Sequence, residues 1–241
     1  MVVEILFQEV CGLYGDSQNA TYLQATLPDA QFVYTKLTDA PYFADNTPDL
    51  IYIGCMSEST QRRVIEKLLP LRNRILQLID AGIPILATGN AGEIFARKID
   101  YVTEKLSVDA LGVFDLTVKT DLFQRYNGMV LGQLDVIKIV GFRSQFSFLY
   151  GDNSECYFLK CLRGDGIYPG SKLEGMRRKN LICTQLLGPI LPLNPLFCEY
   201  LIGLCGTSAQ AAYRESAMDA YEQRLHEFED RNSINRSVQD Q

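Results

Sequence analysis

The chain has 241 residues, a formal net charge of −6, seven cysteines, one histidine and no tryptophan. The acidic balance argues against a nucleic-acid surface, and the lone imidazole excludes a His-based metal site and any Ser-His or Cys-His pair that does not use His226. No apolar stretch reaches the ~18 residues that span a bilayer, and the N-terminus lacks a basic region followed by a small-residue cleavage site, so a cytoplasmic protein is expected.

Val2 to Phe7 is an apolar run of strand length, followed by the loop CGLYGDSQN and a helix around Ala20 to Leu27. QFVYTKL and DLIYIG read as a second and a third strand. Ser57 or Ser59 can cap the next helix, which carries Val64, Leu68, Leu71, Ile75 and Leu78 on one face as far as Ala81. Pro70 should kink or split this helix and open its second half, and Gly82 should end it. Ile83 to Ala96, IPILATGNAGEIFA, reads as a buried strand that turns sharply at Gly89 into a further helix. In enzymes built on such an elbow, the residue at the turn carries the nucleophile. Gly89 has no side chain to carry one.

Strands alternating with helices predict an α/β fold, with a mostly parallel central sheet, helices on both faces and the ligand site at the carboxyl ends of the strands. Three loops then converge there, residues 11–19, 54–58 and 89–93. From Phe114 to Phe148 the β-branched and aromatic content rises, and FDLTVKT and VIKIVGFRSQFSF read as strands of an added antiparallel section. GDGIYPG, at Gly164 to Gly170, follows no clear strand and opens no helix, so it does not read as a phosphate loop. Residues 1–230 read as one domain, and the polar, aperiodic segment 231–241 as a disordered tail.

The cysteines, odd in number and irregular in spacing, read as reduced thiols packed as small apolar groups rather than as a disulfide framework. Cys156 and Cys161 make a poor zinc knuckle because no histidine is near them, so neither a metal nor a cofactor is expected. His226 lies in YEQRLHEFED, where Tyr221, Leu225 and Phe228 recur at helical spacing, and reads as a solvated helix residue. The basic run Arg177, Arg178 and Lys179 reads as a solvated loop, with phosphate contact as the alternative.

Several segments, taken in order, carry a resemblance. LYGDSQN with Asp16 and Asn19, PDLIYIG with the turn after it, IPILATGNAGEIF and LICTQLLGPILPLNPLFCEYLI resemble the class I glutamine amidotransferase domains of the cobyric acid synthase type. Within that family they most resemble the glutaminase subunits of lipid II isoglutaminyl synthase, up to about Leu204. The resemblance implies a flavodoxin-like fold. It also implies a catalytic cysteine at the elbow and a catalytic histidine, and the matching positions here are Gly89 and Leu187. Asn90 and Ala91 stand where the family has glycines after the cysteine, and Cys55 and Met56 replace a Gly-Gly run in the oxyanion loop. Neither half of an acyl-transfer cycle can use those positions.

The resemblance therefore implies a catalytically inactive binding or partner subunit, by analogy with a Mur-ligase-like synthetase in cell-wall precursor amidation. Two alternatives stay open: an active amidotransferase with Cys55 as a relocated nucleophile, and a sensor that binds glutamine or a related amino acid. The positions facing the ancestral pocket are then Arg125, Cys55, Met56, Asn90, Ala91 and Gln185. Arg125, in QRYNG, matches an arginine before an Asn/Gly turn that helps hold glutamine, and its alternative is a surface salt-bridge residue. Asp16 and Asn19 read as loop-shaping residues, while Glu58 and Glu93 read as helix N-terminal acids or as bases for another reaction.

Overall fold

The structure, a computed structural model, describes residues 1–230. The expected tail at 231–241 lies outside the described residues. In chain order the strands are β1 (Val2–Leu6), β2 (Gln31–Thr35), β3 (Leu50–Ile53), β4 (Ile85–Thr88), β5 (Lys98–Tyr101), β6 (Leu106–Asp109), β7 (Thr117–Thr120), β8 (Tyr126–Leu134), β9 (Ile137–Gln145), β10 (Ser147–Tyr150), β11 (Leu159–Arg163), β12 (Leu173–Glu174), β13 (Met176–Arg178) and β14 (Leu181–Thr184). The helices are α1 (Gln18–Thr26), α2 (Tyr42–Asp45), α3 (Glu58–Leu68), α4 (Arg72–Asp80), α5 (Ile190–Leu193), α6 (Pro195–Gly203) and α7 (Arg214–Glu229).

The central sheet runs β13-β14-β4-β3-β1-β2, parallel throughout except for the antiparallel edge strand β13. Its side chains alternate between two apolar layers. Leu6, Ile51, Ile53, Ile85 and Ala87 pack with Val64, Ile65, Leu68, Ile75 and Leu78 of α3 and α4. Val3, Ile5, Leu50, Tyr52 and Leu86 pack instead with Ala20 and Leu23 of α1 and with Phe197 and Leu201 of α6. Each large apolar side chain buried this way contributes about 1.5–3 kcal/mol, so a one-residue slip of any strand would be costly.

The helix after β3 splits as its sequence predicts. The Ser57 hydroxyl accepts the Thr60 N–H at 3.3 Å and caps α3. Pro70 lies in a 3-10 turn, Leu69–Leu71, between α3 and α4, and Gly82 closes the second half with φ +79°. The added β section is also present, as the sheets β10-β7-β5-β6 and β12-β11-β8-β9, antiparallel at every pair except β5–β7, which is parallel.

Four local expectations need correction, and one helix was not foreseen. The segment after β4 is a 3-10 helix, Gly89–Phe95, rather than an α-helix: it is almost wholly buried and turns at once into β5. Asn127 and Gly128 form no turn, being paired within β8 opposite Ser144 and Arg143 of β9. GDGIYPG does follow a strand, β11, although it leads to β12 and not to a helix. Arg177 and Arg178 belong to edge strand β13, and Arg178 meets Asp80 at 2.9 Å. Helix α2, unanticipated between β2 and β3, is anchored by Glu4, whose buried carboxylate accepts the N–H groups of Tyr42 and Phe43 at 2.6 and 2.9 Å.

The β8–β9 hairpin is held to the rest of the chain along its outer edge. Phe142 of β9 exchanges backbone hydrogen bonds with Leu187, at 3.2 and 2.8 Å. The Asn194 carboxamide accepts from the Val140 N–H and donates to the Val140 carbonyl, both at 2.8 Å. Helix α7 packs across the same hairpin, with Tyr221 donating to the Lys138 carbonyl at 2.8 Å, and its His226 is exposed. Among the described residues no helix is long and apolar enough to cross a membrane, and no group of three His, Cys, Asp or Glu side chains is placed to hold a metal.

Candidate functional site

The elbow follows from two glycines. Gly89 sits at φ +59°, in the left-handed region that favours glycine, and reverses the chain at the end of β4. Gly54 lets the loop after β3 approach the loop after β1, since a Cβ there would lie 2.6 Å from the Cys11 carbonyl oxygen. The space over Gly89 is occupied: a Cβ on it would lie 2.8 Å from both Cβ and Sγ of Cys55 and 3.0 Å from Cδ2 of Leu187.

Buried polar groups fix Cys55 in that place. Its N–H donates to the Asp16 carboxylate at 2.7 Å, and the same carboxylate accepts from Thr88 Oγ1 at 2.5 Å and Asn19 Nδ2 at 2.7 Å. Asn19 in turn accepts the Leu191 N–H at 2.9 Å, tying the first loop to α5. Asp16 and Asn19 thus shape the loop, as their positions predict. The Asn90 side chain accepts from the Met56 N–H at 2.9 Å and donates to the Met56 carbonyl at 2.7 Å, which clamps the third-strand loop onto the elbow.

Burial, and secondarily the Asp16 carboxylate, pushes the Cys55 thiol up to about 12, against a lowering contribution from the Asn90 N–H. The thiol is therefore protonated at neutral pH. Reactive cysteines sit in electropositive, partly exposed settings, whereas Cys55 is 4% exposed and faces acids.

The three predicted loops do meet, around a cleft of only about 80 Å³. Small-molecule pockets commonly reach roughly 300–1,000 Å³. Its lining includes Tyr14, Cys55, Met56, Glu58, Gly89, Asn90, Glu93, Gln185 and Leu187, joined by the segment Ser144 to Ser147 from the β9–β10 bend. Glu93 is wholly buried beside it. Gln61 Nε2 donates to Glu93 at 3.0 Å, Gln185 Nε2 at 3.3 Å and the Ser147 hydroxyl at close range. Burial raises the Glu93 carboxyl to about 7, and these three donors limit the rise. Behind Gln185, the buried Glu174 accepts its N–H at 2.8 Å and faces the buried Arg143 at 3.5 Å.

Of the positions singled out in the sequence, Cys55, Met56, Asn90, Gln185, Gly89 and Leu187 line the cleft. Ala91 does not, because it is wholly buried in the core under the elbow. Glu58 opens α3 as a first-turn acid. Glu93 is not a solvated helix-end acid, since it lies inside a buried 3-10 segment and needs side-chain donors. Arg125 stands at the rim, over the rings of Tyr14 and Phe146, and donates to Ser144 Oγ at 2.8 Å and Tyr14 Oη at 3.2 Å. These contacts are with hydroxyls and ring faces, so Arg125 forms no surface salt bridge among the described residues.

Gln61, Ser147, Arg143 and Glu174 were not legible as site residues. Gln61 left one trace, a polar side chain on the same helix face as Val64 and Leu68.

This architecture, with its elbow at the carboxyl end of a mostly parallel sheet flanked by helices, is a flavodoxin-like α/β fold. The chain has the fold of two solved glutamine amidotransferases. One, from Thermotoga maritima, gives a TM-score of 0.50 at 9% identity over 93% of this chain and 84% of that one. The other gives 0.53 at 12% identity over 86% of this chain and 100% of that one. In sequence the chain is similar to the lipid II isoglutaminyl synthase (glutamine-hydrolyzing) subunit GatD of Staphylococcus aureus strain N315, 28% identical over 156 residues. That match covers 64% of this chain and 62% of the relative, so the chain spans less than two thirds of that protein's length. No family model matches the chain.

Proposed function

We propose that the chain is a glutamine amidotransferase-like subunit that does not hydrolyse glutamine and acts by binding, with a Mur-ligase-like synthetase as its partner in cell-wall precursor amidation. One observation carries this reading: the space over the elbow is filled by Cys55 and Leu187. The position that matches the family's nucleophile holds a glycine, and the position that matches its histidine holds a buried leucine. The partner rests on the similarity to a protein that is itself a synthase subunit. Cys55 as a relocated nucleophile is disfavoured by its protonated, buried thiol and by the lack of a nearby imidazole.

The test is release of ammonia and glutamate from glutamine by the purified chain, alone and with a candidate synthetase, beside Cys55→Ala. The expected result is no turnover in any mixture. Turnover abolished by Cys55→Ala would overturn the reading and make that thiol the nucleophile. A second reading, an amino-acid sensor, draws support from Arg125, whose guanidinium at the rim carries a positive charge matched to a ligand carboxylate. It predicts saturable thermal stabilisation by glutamine without turnover.

A further inference from the structure

We propose that a hollow at the junction of the central sheet with the sheet β12-β11-β8-β9 binds a phosphate monoester of a small hydroxyl-bearing molecule, such as a sugar phosphate. The hollow measures about 450 Å³ and shares no lining residue with the cleft over Gly89. That volume falls within the roughly 300–1,000 Å³ of small-molecule pockets, which the cleft does not reach. Its lining includes Gln133 and Asp135 from the β8–β9 hairpin, Tyr157, Phe158 and Lys160 from the entry into β11, and Arg177 of β13.

Main-chain pairing brings these segments together. The Arg177 N–H donates to the Cys156 carbonyl at 2.5 Å and the Phe158 N–H to the Glu174 carbonyl at 2.9 Å, while Lys160 stands in register with Gln133 on one side and Leu173 on the other. Two cations thereby line one hollow, and neither has a carboxylate partner among the described residues. The cations around them are engaged: Arg178 meets Asp80 at 2.9 Å, Lys179 donates to the Asp80 carbonyl, and Lys172 meets Asp165 at 3.7 Å. In a chain with 29 acidic and 23 basic residues, two cations left over on one hollow are a local surplus that an anion would match.

Arg177 is also held in place. Its Nε donates to the Lys179 carbonyl at 3.0 Å and its guanidinium lies over the Tyr200 ring at 5.6 Å, which leaves both terminal nitrogens without an acceptor among the described residues. Tyr200 stacks on Phe197 with ring centroids 6.4 Å apart, and Phe197 meets Phe158 at 5.4 Å, so the support of the guanidinium continues into the wall of the hollow. A guanidinium fixed in this way offers a fork of donors to phosphate oxygens, and Lys160 adds a point charge. A carboxylate would neutralise one of the two cations, whereas a phosphate monoester, with a charge of about −1.5 to −2 at neutral pH, matches both. Asp135 would oppose a bare anion, yet its carboxylate accepts from hydroxyl groups, and the Tyr157 hydroxyl can donate or accept. The phosphate accounts for the cations, and the hydroxyl-bearing remainder accounts for the rest of the lining.

The test is calorimetric titration and thermal unfolding of the intact chain with glucose 6-phosphate, ribose 5-phosphate, inorganic phosphate and glucose at constant ionic strength. At least one ester should bind saturably, inorganic phosphate more weakly and glucose not at all. Lys160→Ala and Arg177→Ala should each weaken ester binding by about tenfold or more. Arg178→Ala removes the same charge one residue away, where the side chain is paired with Asp80, and should leave binding unchanged. Lys160 is exposed, so its variant serves if Arg177→Ala does not fold. No saturable binding of either ester, phosphate or glucose binding as tightly as the esters, or equal weakening by all three variants would overturn the proposal.

Discussion

Cys55 and Gly89 compete for one volume: a Cβ on Gly89 would lie 2.8 Å from the Cys55 sulfur. Restoring a cysteine at the elbow therefore adds overpacking, about 1–3 kcal/mol, to the strain of a side chain at φ +59°, also about 1–3 kcal/mol. Gly89→Cys alone should lose roughly 2–6 kcal/mol in denaturant unfolding, on those two contributions. Adding Cys55→Gly should recover a good part of the loss, and a double-mutant cycle would give the coupling. Strictly additive costs would mean that Cys55 is not the obstacle.

Alkylation should pass over Cys55 in the folded protein. With the thiol pushed up to about 12, only about one molecule in ten thousand carries thiolate at pH 8, against roughly a quarter in an unfolded chain with the ordinary value near 8.5. Mass spectrometry after a short iodoacetamide pulse should find the half-buried Cys156 modified first. Modification of Cys55 as fast as Cys156 would contradict the geometry.

Glu93 should impose a pH dependence of definite sign. Its carboxyl rises from 4.5 to about 7 on folding, so between those values the folded state binds more protons than the unfolded state. Its contribution to stability is therefore greatest below pH 4.5, and stability falls as pH rises through 7. The full effect is on the order of 3 kcal/mol. Denaturant unfolding of Glu93→Gln between pH 5 and 8 should show a shallower decline than the parent. Parallel curves would show that Glu93 is not perturbed as its burial implies.

Asp16 and Arg125 should differ sharply as structural residues. Asp16→Ala leaves the buried Cys55 N–H without its acceptor and reduces Thr88 and Asn19 to their contacts with Tyr52 Oη at 3.1 and 3.0 Å, and a loss of about 3 kcal/mol is expected. Arg125→Ala removes an exposed side chain bonded to hydroxyls and should cost less than about 1 kcal/mol. Calorimetric unfolding of the two variants measures both, and comparable losses would refute the assigned roles.

The parallel sheet was legible because its strands are short apolar runs whose alternate residues serve two helix layers, as Ile51 and Tyr52 do on opposite faces. Pro70, Gly82 and Gly89 act through backbone geometry alone, and their effects could be read without knowing what packs nearby. Glu4 and Glu93 were harder to read. Each sits within an apolar stretch, and its role depends on donors distant in sequence, Tyr42 and Phe43 for Glu4 and Gln61 and Ser147 for Glu93. The Asn127-Gly128 pair was misread for a related reason. An Asn-Gly pair signals a turn locally, yet here the partner strand β9 holds it in a ladder.

The carboxamide of Asn194 meets Val140 as the peptide group of a neighbouring strand would, accepting from its N–H and donating to its carbonyl. Leu187 does the same for Phe142 with its own main chain. Together they close off the part of β9 that would otherwise offer a template for strand addition by another molecule, the usual route from an open sheet edge to aggregation. Because Leu187 does this through backbone atoms, the edge stays protected whichever side chain other than proline stands at that position.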